Sequence, residues 1–219
     1  MQAATDTELI SFNDWILRVR ASQSAAPRLL VLIHGWTGDE NSMWIFTRGL
    51  SRGYWMIAPR APHAADSGGY SWRPPQPAPF GWPSLEMLGP AAEGLIRLID
   101  EYSASVKLDA RQFDLMGFSQ GAAMVNTLAM LHPGRVRKMG VLAGFVPSGF
   151  DGIIERKPLV GKDIFVAHGT QDEMVPVDRA RASIGLLEKA GAQVILCEDE
   201  VGHKLSANCL RALEDYLKD

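Results

Sequence analysis

A serine, an aspartate and a histidine (Ser119, Asp172 and His203) stand in the order and local contexts that nucleophilic acyl transfer requires. Ser119 lies in Gly-Phe-Ser-Gln-Gly, between an apolar run, Phe113 to Met116, and an Ala/Met/Leu-rich segment with apolar residues at helical spacing that reaches Leu131. This pattern predicts a strand, a sharp corner and a helix, with Ser119 at the corner. Gly117 and Gly121 occupy the positions where side chains would collide if the chain reversed that tightly. A serine hydroxyl is too weakly acidic to attack an ester unaided, so His203 would take its proton and return it to the leaving group. Asp172 would fix the imidazole tautomer and stabilise the cation that forms. The tetrahedral oxyanion would be held by two backbone N–H groups, those of Trp36 and Gln120, beside a helix N-terminus that favours negative charge.

For these groups to meet, the elements between them must bring distant segments to one rim. In open parallel sheets, reactive groups collect after the carboxyl ends of strands. His34-Gly35-Trp36 follows a predicted strand at Leu29 to Ile33, and His168-Gly-Thr-Gln-Asp172 follows one at Ile164 to Ala167. Val201-Gly202-His203 follows a third at Val194 to Leu196. The remaining elements are edge strands within Glu8 to Arg20, a helix over Ser42 to Arg52, a strand at Trp55 to Ala58 and a helix over Ser84 to Ser105. A strand at Met139 to Ala143, a loop from Phe145 to Gly161 and helices at Val177 to Ala190 and Ser206 to Lys218 complete the chain. Five or six parallel strands interleaved with helices make an α/β fold: a mostly parallel, doubly wound sheet with helices on both faces, in a single domain over residues 1–219.

Pro59 to Pro83 breaks this rhythm, with many prolines together with Tyr70, Trp72, Phe80 and Trp82. The prolines oppose regular structure, and the aromatics are too many for a solvated linker. An ordered excursion over the site is expected, with Trp72, Phe80, Trp82 and Val175 as candidate pocket residues; the alternative is a surface loop whose aromatics anchor it to the core. Glu173 and Asp199 are lesser candidates for the acid, and Asp178 is the expected cap of the helix after Pro176. His34 and His168 are expected to brace rim loops, His63 to be structural and His132 to end a helix. No histidine pair has close metal-ligand spacing, so no metal is expected.

The chain has 219 residues and a formal net charge of −3 without a Lys/Arg cluster, which argues against nucleic-acid binding. The N-terminal stretch carries acidic residues without a signal-peptide core, and no apolar run is long enough to span a bilayer, so a cytoplasmic protein without a stable membrane anchor is expected. Cys197 and Cys209 fall in a predicted strand and a predicted helix and read as buried thiols. Exposed aromatics in the Pro-rich stretch would suit a homodimer contact.

Four blocks, His34-Gly35-Trp36, Gly-Phe-Ser119-Gln-Gly, His168-Gly-Thr-Gln-Asp172 with Val175-Pro176, and Gly202-His203, resemble the phospholipase/carboxylesterase family of α/β-hydrolases. The likeness runs from about residue 29 to the end. It implies an α/β-hydrolase fold and serine esterase activity on a small-molecule ester, with no cofactor. The Gly-Trp-Thr-Gly-Asp loop and the Pro-rich excursion depart from the acyl-protein thioesterases of that family, which leaves the substrate open. A carboxylesterase for short to medium acyl esters is the leading expectation. A lysophospholipase or acyl-protein thioesterase and a low-turnover hydrolase-fold binding protein are its rivals.

Overall fold

A computed structural model describes residues 6–76 and 81–218. Eight strands form one sheet: β1 (Glu8–Phe12), β2 (Trp15–Arg20), β3 (Arg28–Ile33), β4 (Tyr54–Pro59), β7 (Phe113–Phe118), β8 (Val136–Leu142), β9 (Asp163–Gly169) and β10 (Gln193–Asp199). Their order is β1-β2-β4-β3-β7-β8-β9-β10. From β4 to β10 every pairing is parallel; β1 and β2 add an antiparallel edge. A small hairpin of β5 (His63–Ala64) and β6 (Tyr70–Ser71) stands apart from the sheet. The helices are α1 (Leu85–Ser105), α2 (Gln120–Leu131), α3 (Asp151–Ile154), α4 (Val177–Lys189) and α5 (Ala207–Leu217).

The unbroken apolar runs have a direct cause. Successive strand residues point to opposite faces, and both faces of this sheet are covered. In β3, Leu29, Val31 and Ile33 join a core with α1, α2 and α4, whereas Leu30 and Leu32 join a second core with α5 and the 43–50 segment. Strand β9 divides the same way, Ile164 and Val166 to the first side and Phe165 and Ala167 to the second.

Several expectations are corrected. The helix over 42–52 is only a 3-10 turn, Ser42–Phe46. The Thr47 hydroxyl donates to the Trp44 carbonyl, competing with helix propagation, and Gly49 follows, where a Cβ would overlap the Glu214 carboxylate of α5. Asp178 does not cap α4; it lies in the first turn, and Pro176 holds the cap position. The two cysteines are not free thiols: Cys197 in β10 and Cys209 in α5 form a disulfide with Cα atoms 5.6 Å apart. With Asp199 they make up the one group of metal-ligand spacing among the described residues, but both sulfurs are already bonded to each other. No helix among the described residues is long and apolar enough to cross a membrane.

The excursion is tied down by backbone and side chain alike. Thr37 N–H donates to the Tyr70 carbonyl and Tyr70 N–H to that of Gly38, fastening β6 to the loop after β3. Gly69, at φ +71°, sits so close to Thr37 that a Cβ would lie 2.0 Å from its carbonyl oxygen. Trp72 is 0% exposed, and its indole N–H donates to the His34 carbonyl at 2.8 Å. It is therefore a core residue and not the pocket wall expected of it: an indole buried this deeply needs an acceptor, and the loop after β3 supplies one.

Candidate active site

The corner after β7 has the strain its sequence implies. Ser119, at φ 55° and ψ −117°, precedes the first residue of α2 in a region that L-residues rarely adopt. The flanking glycines are required by close approach. A Cβ on Gly117 would lie 2.3 Å from the Gly121 carbonyl oxygen, and one on Gly121 would lie 2.0 Å from that of Ile33 at the end of β3. The corner is thus wedged against the neighbouring strand. The first N–H groups of α2, starting with Gln120, have no acceptor within the helix and carry its positive dipole end. Gly35, beside Trp36, packs against Ser119 from the β3 side: its Cβ would meet the Phe118 carbonyl oxygen at 3.2 Å and the Ser119 Cβ at 3.3 Å.

Asp172 follows β9 in a tight turn and is buried. Its Oδ1 accepts from the Met174 and Val175 N–H groups, each at 2.9 Å, and its Oδ2 lies 2.7 Å from Nδ1 of His203. Both lone-pair sides of the carboxylate are in use, one orienting it and one orienting the imidazole. The other acid candidates are engaged or turned elsewhere. Asp199 accepts from the Ser206 hydroxyl, and Glu173 is exposed. The His203 loop is held against the Asp172 loop by Gln171 N–H donating to the Val201 carbonyl. Gly169 permits this, since a Cβ there would lie 2.2 Å from the Val201 oxygen and 2.3 Å from that of Gly202. The His203 ring packs on Phe118, the neighbour of Ser119, with centroids 4.8 Å apart.

Two of the other histidines, His34 and His168, brace loops at the site. His168 donates from Nε2 to the Val175 carbonyl at 2.8 Å, bracing the turn of Asp172. His132 caps α2 and pairs with Glu93, and His63 lies in β5. His34 is buried, with Nδ1 2.7 Å from the Gly35 carbonyl oxygen and Nε2 accepting from Ala61 N–H at 3.0 Å. Burial lowers its pKa below the ordinary 6.5, and the fields of Asp39 and Glu40, which favour the cation, do not overcome it. A proton on Nε2 would face the Ala61 N–H. The unfolded chain therefore takes up this proton first as pH falls; the stabilisation from neutral His34 is complete above about pH 6.5 and is lost as pH drops through the folded value. Thermal midpoints measured from pH 7.5 to 5 are expected to fall more steeply for the wild type than for His34→Gln. An NMR titration placing the His34 pKa at or above 6.5 would refute this.

A cavity of about 210 Å³ opens at the serine, lined by Trp36, Arg73, Trp82, Ser119, Phe145 and Val175 among others. Trp82 and Val175 thus stand where the sequence suggested, and Phe80 lies outside the described residues. Trp82, 42% exposed, meets Phe145 edge-to-face at 4.8 Å, and the Arg179 guanidinium stacks 4.0 Å from its ring centroid. Sequence reasoning missed Arg73, Phe145 and Arg179. For Arg73 a signal existed: a cation set directly between Trp72 and the prolines at 74 and 75. It also left the Gln120 side chain unresolved. The Gln120 Oε1 accepts from Trp72 N–H at 2.9 Å, so the residue after Ser119 anchors the excursion over the site.

A model of the phospholipase/carboxylesterase family matches residues 15–219. The carboxylesterase SOBER1 of Arabidopsis thaliana is 32% identical over 110 residues, covering 48% of this chain and 46% of that protein. A probable carboxylesterase SOBER1-like from the same plant is 26% identical over 193 residues, covering 81% of this chain and 67% of that one. The chain therefore spans about half the length of the first of these curated relatives. Among solved structures, a carboxylesterase from Mesorhizobium loti has a TM-score of 0.80 at 20% identity, covering 97% of this chain and 98% of that one. The Bacillus cereus carboxylesterase also reaches 0.80, at 19% identity and 93% coverage of both chains. At these identities the two structures speak for the fold.

Proposed function

The chain belongs to the phospholipase/carboxylesterase family of α/β-hydrolases, and from that membership we propose that it is a serine carboxylesterase acting on short to medium acyl esters of small molecules through an acyl-enzyme on Ser119. The observation that carries this reading is the 2.7 Å contact between His203 Nδ1 and the buried Asp172 carboxylate, on the same rim as the strained serine. With Nδ1–H held by Asp172, the imidazole presents a basic Nε2. It removes the Ser119 proton as the hydroxyl oxygen attacks the ester carbonyl, and the oxyanion is received by the N–H groups of Gln120 and Trp36. Collapse of the tetrahedral species expels the alcohol, protonated by His203, and leaves the acyl group on Ser119. Water, deprotonated by His203, then attacks the acyl-enzyme, and its collapse returns the proton to Ser119 and releases the acid.

Cavity size favours the esterase reading over hydrolysis of a lysophospholipid or acyl-protein. About 210 Å³ walled by Trp82 and Phe145 suits a short acyl chain, whereas a long one requires an extended groove. Turnover of p-nitrophenyl esters from two to sixteen carbons is expected to peak at the short end, with a fluorophosphonate label found on Ser119 by mass spectrometry. Rates rising towards sixteen carbons would replace this reading with the long-chain one. Labelling without steady turnover of any ester would replace it with a binding protein.

A further inference from the structure

We propose that Arg179, on α4, sets the upper size limit of the substrate by holding Trp82 in place as a wall of the cavity at Ser119, and so acts as a positioning residue for ester specificity. This rests on the esterase reading above and specifies how its site excludes long substrates.

Trp82 lines the cavity beside Ser119, yet it is 42% exposed and stands in the Gly81-Trp82-Pro83 link ahead of α1, outside any strand or helix. A half-exposed indole on irregular backbone keeps one orientation only where neighbours supply contacts to its faces and edges. Phe145, the facing wall, meets it edge-to-face with centroids 4.8 Å apart. The Arg179 guanidinium lies 4.0 Å from the Trp82 ring centroid and 4.9 Å from that of Phe145, so one cation bridges both rings.

The partners of Trp82 in this cluster are themselves fixed. Phe145 is buried, and its carbonyl accepts from the Asn126 amide of α2 at 2.9 Å. Val146 N–H donates to the Ser183 hydroxyl, which donates in turn to the Arg179 carbonyl, so the loop after β8 and the first turn of α4 are registered to one another. The Arg179 Nε is buried without a hydrogen-bond acceptor among the described residues, and burial lowers the pKa of the group. That desolvation is offset by the aromatic rings the guanidinium meets. Arginine suits the position because its planar group stacks on an indole, which a lysine ammonium does not do. Arg179 also lies just beyond the Asp172 turn, its N–H donating to the Pro176 carbonyl at 2.8 Å. General damage to that turn would slow all esters alike, whereas release of Trp82 changes which esters are accepted.

The test measures kcat/KM for p-nitrophenyl esters from two to sixteen carbons, and for acetates of alcohols over the same lengths, in wild type, Arg179→Met, Arg179→Lys, Trp82→Ala and the double variant Arg179→Met with Trp82→Ala. The series that shifts identifies the half of the ester that lies against Trp82. Arg179→Met keeps an unbranched apolar stem and removes the charge. It is expected to raise the long-to-short ratio of kcat/KM about 10-fold in one series, chiefly through KM, which is the scale of one partly desolvated cation–π contact. Arg179→Lys is expected to restore part of the wild-type ratio. Trp82→Ala should raise the ratio at least as far, and adding Arg179→Met to it should change the ratio by less than about 2-fold, because the cation acts through the ring. In the wild type, where no variant has to fold, the Arg179 Hε resonance is expected upfield of its free-arginine position through the ring currents of Trp82 and Phe145. Ratios unmoved by Arg179→Met in both series, an equal effect of Arg179→Met with and without the Trp82 ring, or an unshifted Hε resonance would each overturn the proposal while leaving the esterase standing. Absence of turnover on every ester together with absence of label on Ser119 would instead defeat the underlying reading.

Discussion

Ester turnover by Ser119→Ala is expected to fall about 10⁶-fold, with complete loss of fluorophosphonate labelling, while the protein stays folded. The size follows from the route. Without the hydroxyl no acyl-enzyme forms, and what remains is whatever the oxyanion donors and His203 can do for direct attack by water. Stability separates this from damage. Alanine keeps the Cβ at φ 55° and hence the strain of the corner, so its thermal midpoint should match that of the wild type. Ser119→Gly, which has no Cβ to strain, should be equally inactive and more stable by about 1 kcal/mol. A stable Ser119→Ala protein retaining more than about 1% of wild-type kcat would mean that the nucleophile lies elsewhere. A Ser119→Gly protein less stable than Ser119→Ala would mean that the corner is not strained in solution.

That corner was legible because its constraint is local. Gly117 and Gly121 are fixed by a backbone that must pass within contact distance of itself and of Ile33, and no distant partner is needed to infer it. Asp172 and His203 were legible for a different reason. Both follow apolar runs that must be central strands, and parallel strands deliver their ends to one rim. The β3 and β9 runs read correctly because burial on both faces removes alternation from the sequence itself.

What failed to read depended on partners far along the chain. Trp72 looks like Trp82 in sequence, yet one indole finds the His34 carbonyl and is buried while the other stays at the cavity mouth. Nothing within the Pro-rich stretch distinguishes them. The same holds for Gln120, whose amide gains meaning only when Trp72 arrives against it. The 42–52 segment has helical apolar spacing, but its apolar groups are buried beneath α5 in a shorter, tighter turn. The disulfide needs β10 and α5 to be adjacent, which composition cannot reveal; once formed, it closes the segment that carries His203. Arg73 was passed over because aromatics dominated the excursion, although the cation stands directly after Trp72.

The second large effect is expected from Asp172→Asn, which should lower kcat about 10⁴-fold with little change in stability. The carboxylate has two separable tasks. Oδ1 accepts from the Met174 and Val175 N–H groups and shapes the turn, and an asparagine carbonyl oxygen in that place keeps both bonds. At the Oδ2 position, however, the substitution puts an NH₂ group towards His203 Nδ1, where an acceptor stood. Nδ1 must then be the unprotonated nitrogen, so the proton moves to Nε2, and the imidazole meets Ser119 as a donor instead of a base. Fluorophosphonate labelling should slow in parallel with ester turnover, because both need the same deprotonation. Asp172→Ala separates the two tasks: it should lose activity and also destabilise the fold by about 1–3 kcal/mol, because the two turn N–H groups lose their acceptor. If Asp172→Asn kept more than about a tenth of wild-type kcat, the tautomer of His203 would have to be set by another acceptor, and Asp199→Asn would be the variant to compare with it.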